Sequence, residues 1–108
     1  MSGLGSFNLP KGYWIAHVDV TNPRGYQSYI EADAEVFREY GARFLVRGGA
    51  AELVEGRLRA RHIVIEFKDY ATAVECYHSP EYQKLIALRQ PHATADIVII
   101  GGYEGPQP

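Results

Sequence analysis

Three short runs in this chain are apolar at every position: Tyr13-Trp14-Ile15, Ile63-Val64-Ile65 and Ile97-Val98-Ile99-Ile100. Each is strand-sized and rich in β-branched and aromatic residues. Successive side chains of a strand point to opposite faces of its sheet, so an antiparallel sheet with one wet face alternates apolar and polar residues. Runs that are apolar at both parities demand a sheet covered on both sides.

The residues between the strands supply helices for one side. After the first strand, Tyr13 to Val20, Asn22 is placed to cap a helix, Pro23 suits its first position, and Gly41 suits a left-handed stop. Between them Tyr26, Tyr29, Ile30, Ala34, Phe37 and Tyr40 recur at three- and four-residue steps, with Glu31, Glu35, Arg38 and Glu39 opposite. A second strand spans Ala42 to Arg47. Gly48-Gly49 ends it, and Gly48 to Ala60 is read as a long hairpin connection containing a short extended piece, Glu52 to Glu55. Arg61 to Lys68 is the third strand. Asp69 then caps a helix with Ala73, Val74 and Tyr77 inward, and Ser79-Pro80-Glu81 starts a fresh turn that bends the arm through Tyr82, Leu85, Ile86 and Arg89. A last strand, Asp96 to Ile100, closes at Gly101-Gly102.

Strand, helix, strand, strand, helix, strand is the order of an α+β, ferredoxin-like βαββαβ sandwich, with an antiparallel sheet and both helical arms on one face. Those arms cover one face. The simplest cover for the other is the same sheet of a second copy in a two-fold contact; the alternative is a monomer whose hairpin folds over it. Residues 12–103 are expected to form a single domain, 1–11 a flexible leader and 104–108 a flexible tail.

With 108 residues and a net charge of -2, the chain has room for one core and no broad basic field for nucleic acid or anionic lipid. No apolar run approaches the roughly 20 residues that cross a bilayer. A single cysteine, Cys76, cannot form an internal disulfide, which fits a reducing cytoplasm. Neither nucleic acid nor membrane is expected as a partner.

Strand parity sends Trp14, Ala16, Val18 and Val20 toward the helices and Tyr13, Ile15, His17 and Asp19 away. The same count gathers His17, Asp19, Arg47, His62 and Glu66 on the helix-free face, where convergent polar groups among apolar neighbours could hold a small molecule. A cross-strand salt bridge between Arg47 and Glu66 would explain the same residues without a ligand. His17 and Glu66 are the candidates for proton transfer. These side chains lack the spacing of a metal site, so no metal is expected. Cys76 reads as a small core residue, and Arg57, Arg59 and Arg61 as an edge neutralised by Glu52 and Glu55. Gly48-Gly49 is followed by no Lys-Ser/Thr and no helix, so nothing implies a nucleotide or other cofactor.

Several separated motifs stand out together: Gly12-Tyr13-Trp14-Ile15-Ala16, Tyr40-Gly41-Ala42-Arg43-Phe44-Leu45-Val46-Arg47-Gly48-Gly49, Glu55-Gly56 and Val64-Ile65-Glu66-Phe67, then Tyr77, Ser79-Pro80-Glu81-Tyr82-Gln83 and Arg89. In this order they closely resemble the bacterial domain-of-unknown-function family 1330. The resemblance spans Lys11 to Tyr103 and implies a dimeric α/β barrel in which two ferredoxin-like sheets face one another. It brings no reaction: the family is similar in fold to haem-degrading and quinone-forming monooxygenases, muconolactone isomerases and stress-responsive barrels, and fold alone does not assign activity. Where the family pattern often has Asn in the first helix, this chain has Asp33.

Three readings of function follow. The first is a homodimer that holds a small polar or anionic metabolite between sheet and helices through Arg47, Glu66, His17, Tyr77 and Arg89, the two arginines fixing an acid group. The second is a cofactor-free isomerase or monooxygenase-like enzyme using His17 or Glu66. The third is an interaction module without a ligand.

Overall fold

A computed structural model describes residues 9–108. The expected leader lies mostly on residues 1–8, outside the described residues. The elements run β1 (Gly12–Val20), α1 (Pro23–Glu39), β2 (Arg43–Arg47), β3 (Arg61–Phe67), α2 (Tyr70–His78), α3 (Pro80–Arg89) and β4 (Ala93–Gly101). Four strands form one antiparallel sheet in the order β2-β3-β1-β4, and the fold is the α+β sandwich expected from the element order.

Local chemistry sets the boundaries. The Asn22 side chain accepts from the Gly25 amide at 3.3 Å, with Pro23 in the first turn of α1, and Gly41 leaves the helix at φ 67°. Asp69 caps α2 by accepting from Thr72 N at 2.7 Å. Ser79 joins the two halves of the second arm: its Oγ donates to Cys76 O at 2.7 Å and accepts from Tyr82 N at 3.1 Å. With Pro80 ruling out continuous helix hydrogen bonding, the arm bends there. The Gly48–Ala60 connection contains no regular element, so the extended piece expected at Glu52–Glu55 pairs with no strand.

The core lies between sheet and helices. Trp14 sits at its centre, 2% exposed, donating Nε1–H to Ala73 O at 2.8 Å and meeting Phe37, Phe67, Tyr77 and Tyr82 at ring distances of 4.9 to 5.6 Å. The contacts with Phe37, Tyr77 and Tyr82 are edge-to-face and add to simple burial.

One departure from strand parity changes the chemistry of both faces. Phe44 pairs with Ile65, but Val46 pairs with Val64 and Arg47 with Ile63, so the register shifts by one at Leu45. A bulge of this kind reverses which face every later side chain points to. Val46 therefore turns to the helix-free face and Arg47 to the helix face, opposite to the uninterrupted count. The expected Arg47–Glu66 pair is thereby corrected: Glu66 lies across from Arg43, and Tyr13 Oη donates to it at 3.4 Å.

The helix in α1 carries a second correction. Ala34, expected inside, is exposed, whereas Asp33 is buried with Tyr26, Tyr29, Val36 and Phe37.

Candidate functional site

Rows of cross-strand neighbours define the floor of the space between sheet and helices. One row is Arg47, Ile63, Ala16 and Ile97, and the next is Arg61, Val18 and Ala95. Ala16 on the central strand β1 and Ala95 on the edge strand β4 put small side chains in the floor, where a larger residue would reach toward the helices. Above them α1 contributes Tyr26, Tyr29, Ile30, Asp33 and Phe37, and α3 contributes Tyr82 and Arg89. The result is a cavity of about 30 Å³. That is room for about two waters or the head group of a ligand. It shares Tyr26, Ile30 and Arg61 with a shallow depression of about 230 Å³ that is also lined by Val20, Pro23 and Gln27.

The polar groups of this cavity are few and underemployed. Asp33 is 3% exposed and its Oδ1 accepts no hydrogen bond; the nearest cation, Arg47 Nη2, stands 3.9 Å away. Burial raises the Asp33 carboxyl to about 6, against the opposing pull of Arg47. Arg89 is 7% exposed, its guanidinium lies 5.9 Å from the Tyr29 ring centre, and its Nε has no partner. Arg61 Nε is likewise buried without a partner. Arg47 stacks over Phe44 at 4.0 Å, which holds its head at the cavity edge. The Tyr29 and Tyr82 hydroxyls face each other at 2.6 Å. Burial raises both phenols, Tyr82 to about 12, so they stay neutral.

Gly48 helps to place Arg61. Its φ of 69° turns the chain out of β2, and a side chain there would collide with the Arg61 guanidinium. The reading of Arg57, Arg59 and Arg61 as an edge facing Glu52 and Glu55 is accordingly corrected. Arg59 binds Asp19 at 3.1 Å and Asp96 at 3.0 Å, and Arg61 enters the cavity.

The five ligand-binding candidates fall into separate places. Arg47 and Arg89 line the same cavity. Tyr77 packs its ring against Trp14 and borders, with Arg89, an open depression beside β4. His17 and Glu66 lie on the opposite face of the sheet. There the two Nδ1 atoms of His17 and His62 approach to 2.9 Å across adjacent strands, so one ring donates and the other accepts. Beside them runs an apolar row, Val46, Val64, Ile15 and Val98, the outer two 41% and 50% exposed. Among the described residues no three His, Cys, Asp or Glu side chains converge as metal ligands. Cys76 is buried in the core, where desolvation pushes its thiol up to about 12. No helix among the described residues is long and apolar enough to cross a membrane.

Parity and charge alone missed Asp33, Arg61 and the tyrosines as cavity residues. A signal for Asp33 was present: it sits four residues after Tyr29 and four before Phe37, on the buried stripe itself.

A family model described as "Domain of unknown function (DUF1330)" matches residues 11–103. No curated protein matches the chain in sequence. Among solved structures, a protein of unknown function from Rhodopseudomonas palustris, RPA0582, superimposes with a TM-score of 0.68 at 16% identity, over 89% of this chain and 85% of that one. A dimeric ferredoxin-like protein of unknown function from Thermobifida fusca gives 0.60 at 14%, over 88% and 93%. SnoaB, a cofactor-independent oxygenase from Streptomyces nogalater, gives 0.59 at 12%, over 89% and 96%. At these identities the likeness is one of fold.

Proposed function

Because the chain belongs to the DUF1330 family, whose description carries no activity, we propose a function from its own cavity: a homodimeric α/β barrel that binds a small organic acid between sheet and helices. The observation that carries the reading is an excess of cationic over acidic groups around one cavity: Arg89 is buried, Arg61 half-buried, and Arg47 reaches the edge from a partly exposed position. Three guanidinium groups, Arg47, Arg61 and Arg89, line one small cavity whose only carboxyl is Asp33. Two of those guanidiniums keep a buried Nε without an acceptor, and an unpaired buried donor is costly unless something fills it. A carboxylate supplies both the charge and the acceptors. The cavity takes the acid group, and the depression bordered by Val20, Pro23 and Ile30 takes the rest of the molecule.

Dimerisation belongs to the same reading. The row Val46, Val64, Ile15 and Val98, with Ile100 at 47% exposure, leaves an apolar stripe on the helix-free face, and a second sheet is its natural cover. The Thermobifida fusca protein of the same fold is dimeric. A partner sheet laid there would also enclose His17 and Glu66, and this is the arrangement in which an enzyme reading based on either residue would apply. Buried, unpaired Cys76 suits a reducing cytoplasm.

The test is thermal denaturation with a panel of small mono- and dicarboxylic acids at millimolar concentration. Hits raise the melting temperature through preferential binding to the folded state. Arg47→Met and Arg89→Met are expected to weaken a hit by tenfold or more. A panel without hits would favour the interaction module.

A further inference from the structure

Asp33 is the group in the cavity that acid binding leaves unexplained. An acid-binding site gains nothing from a carboxyl among its arginines, and a buried carboxyl without a hydrogen-bond donor is a cost to folding. Nor does the helix's buried stripe of Tyr26, Tyr29, Val36 and Phe37 call for a charge at this position, where a Leu would continue it. From this placement we infer that Asp33 is a proton-transfer residue, acting on the acidic carbon of a small oxo acid held by Arg89 and Arg47. The inference rests on the acid-binding reading and adds a reaction to it.

The step balances without any other reactant. Ionised Asp33 removes a proton from the carbon beside the oxo group: the C–H bond breaks, an O–H bond forms on Asp33, and the C–H electron pair becomes the C=C bond of an enolate. The negative charge moves to the former oxo oxygen, where a fixed guanidinium stabilises it. Once the O–H on Asp33 has traded its proton with water, delivery of that solvent-derived proton to the same carbon leaves the acid unchanged but for the exchanged hydrogen. If the acid carries a neighbouring double bond, return one position along shifts that bond, and the net reaction is an isomerisation.

The geometry suits such a base. Oδ1 of Asp33 spends no basicity on internal donors, and Arg47, 3.9 Å away, is too far for a hydrogen bond that would quench it. Arg89, buried across the same cavity with Nε free, is the oxyanion partner. Burial brings the carboxyl to about 6, so both of its forms are populated near neutral pH, as a reversible proton carrier requires. The Tyr29 and Tyr82 hydroxyls bond each other, and burial raises all three cavity phenols, Tyr26 included, so they stay neutral and Asp33 is left as the base.

The experiment follows deuterium incorporation by proton NMR in D2O, with 2-oxobutanoate, 2-oxopentanoate and phenylpyruvate as probes and melting shifts measured on the same samples. Wild-type protein should exchange the methylene protons of at least one bound probe about 100-fold faster than buffer, the rate rising with pH through about 6. Asp33→Asn, which keeps shape and removes the base, should lower the rate by about 10²- to 10⁴-fold while the melting shift persists. Binding without exchange, an unchanged rate in Asp33→Asn, or a wild-type rate flat from pH 5 to 7 would overturn proton transfer and leave acid binding standing. No melting shift with any probe would overturn both.

Discussion

The two faces of one sheet are built to opposite rules. On the helix side, Trp14, Phe44, Ile65 and Ile99 form an apolar row, and the next rows open into a cavity with Asp33 and three arginines. On the other side the apolar row is flanked by charge and imidazole: Arg43, Glu66 and Tyr13 on one flank, His62, His17 and Asp96 on the other. The first face hides polar groups inside an apolar shell. The second displays an apolar stripe inside a polar rim, which is the anatomy of a protein–protein interface. Neighbouring residues of a single strand thus do different work, and Trp14 and Ile15 are the clearest case.

The strongest way to break this comparison is to truncate both. Trp14→Ala is expected to cost about 3–5 kcal/mol in urea denaturation, by loss of the central aromatic cluster and its hydrogen bond to Ala73. Ile15→Ala should cost the protomer much less and weaken association instead. Equal losses would show that the faces are not divided in this way.

Next in size is the helix-free face alone. Val64→Asp places a carboxylate in the middle of the apolar row, and light scattering should find a dimer weakened by about 100-fold, roughly 2.7 kcal/mol. Acid binding in the cavity should survive, because Val64 points away from it. A wild-type protein that stays a single protomer at high concentration would remove the interface altogether.

A comparable effect is expected from pH on the helix side. The groups around Asp33 are Arg47 from β2, Arg61 from β3, Tyr82 and Arg89 from α3, and Tyr26 and Tyr29 from its own helix. Since burial raises Asp33 to about 6 in the folded chain, folding takes up a proton between about pH 4 and 6. Stability from this group is complete below pH 4 and is lost as pH rises through 6, on the order of 2–3 kcal/mol in all. Asp33→Asn should flatten that stretch of the stability–pH curve and be the more stable protein at pH 8. A wild-type curve that instead rises through the same window would contradict the environment described for Asp33.

The smallest effect on stability sharpens the cavity. Ala95→Val adds two methyl groups to the floor and should change stability by about 1 kcal/mol or less, yet lower acid affinity by tenfold or more. Unchanged affinity would place the ligand elsewhere.

The parts of this architecture that rest on near neighbours were legible beforehand. Asn22-Pro23, Asp69 and Ser79-Pro80 act through residues three or four positions away, so the caps and the bend in the second arm appear where the sequence places them. The alternate faces of β1, β3 and β4 follow from an uninterrupted period of two. Arg89 and Arg47 line the same cavity, Arg47 only because of the register shift between Phe44 and Val46. His17 and Glu66 were placed on the helix-free side correctly, but away from the cavity that the structure encloses.

What the amino-acid order determined by itself was the succession of elements, their caps and the two-sided apolar strands, because helix and strand periods are set by bonds and side chains close along the chain. Only the tertiary structure decided that Leu45 is bulged, so that Arg47 turns inward, and that Ala16 and Ala95, in successive rows of adjacent strands, line one cavity with Asp33. Those outcomes depend on which distant strand lies alongside and what the helices leave unfilled. No local period records a gap formed by residues some eighty positions apart.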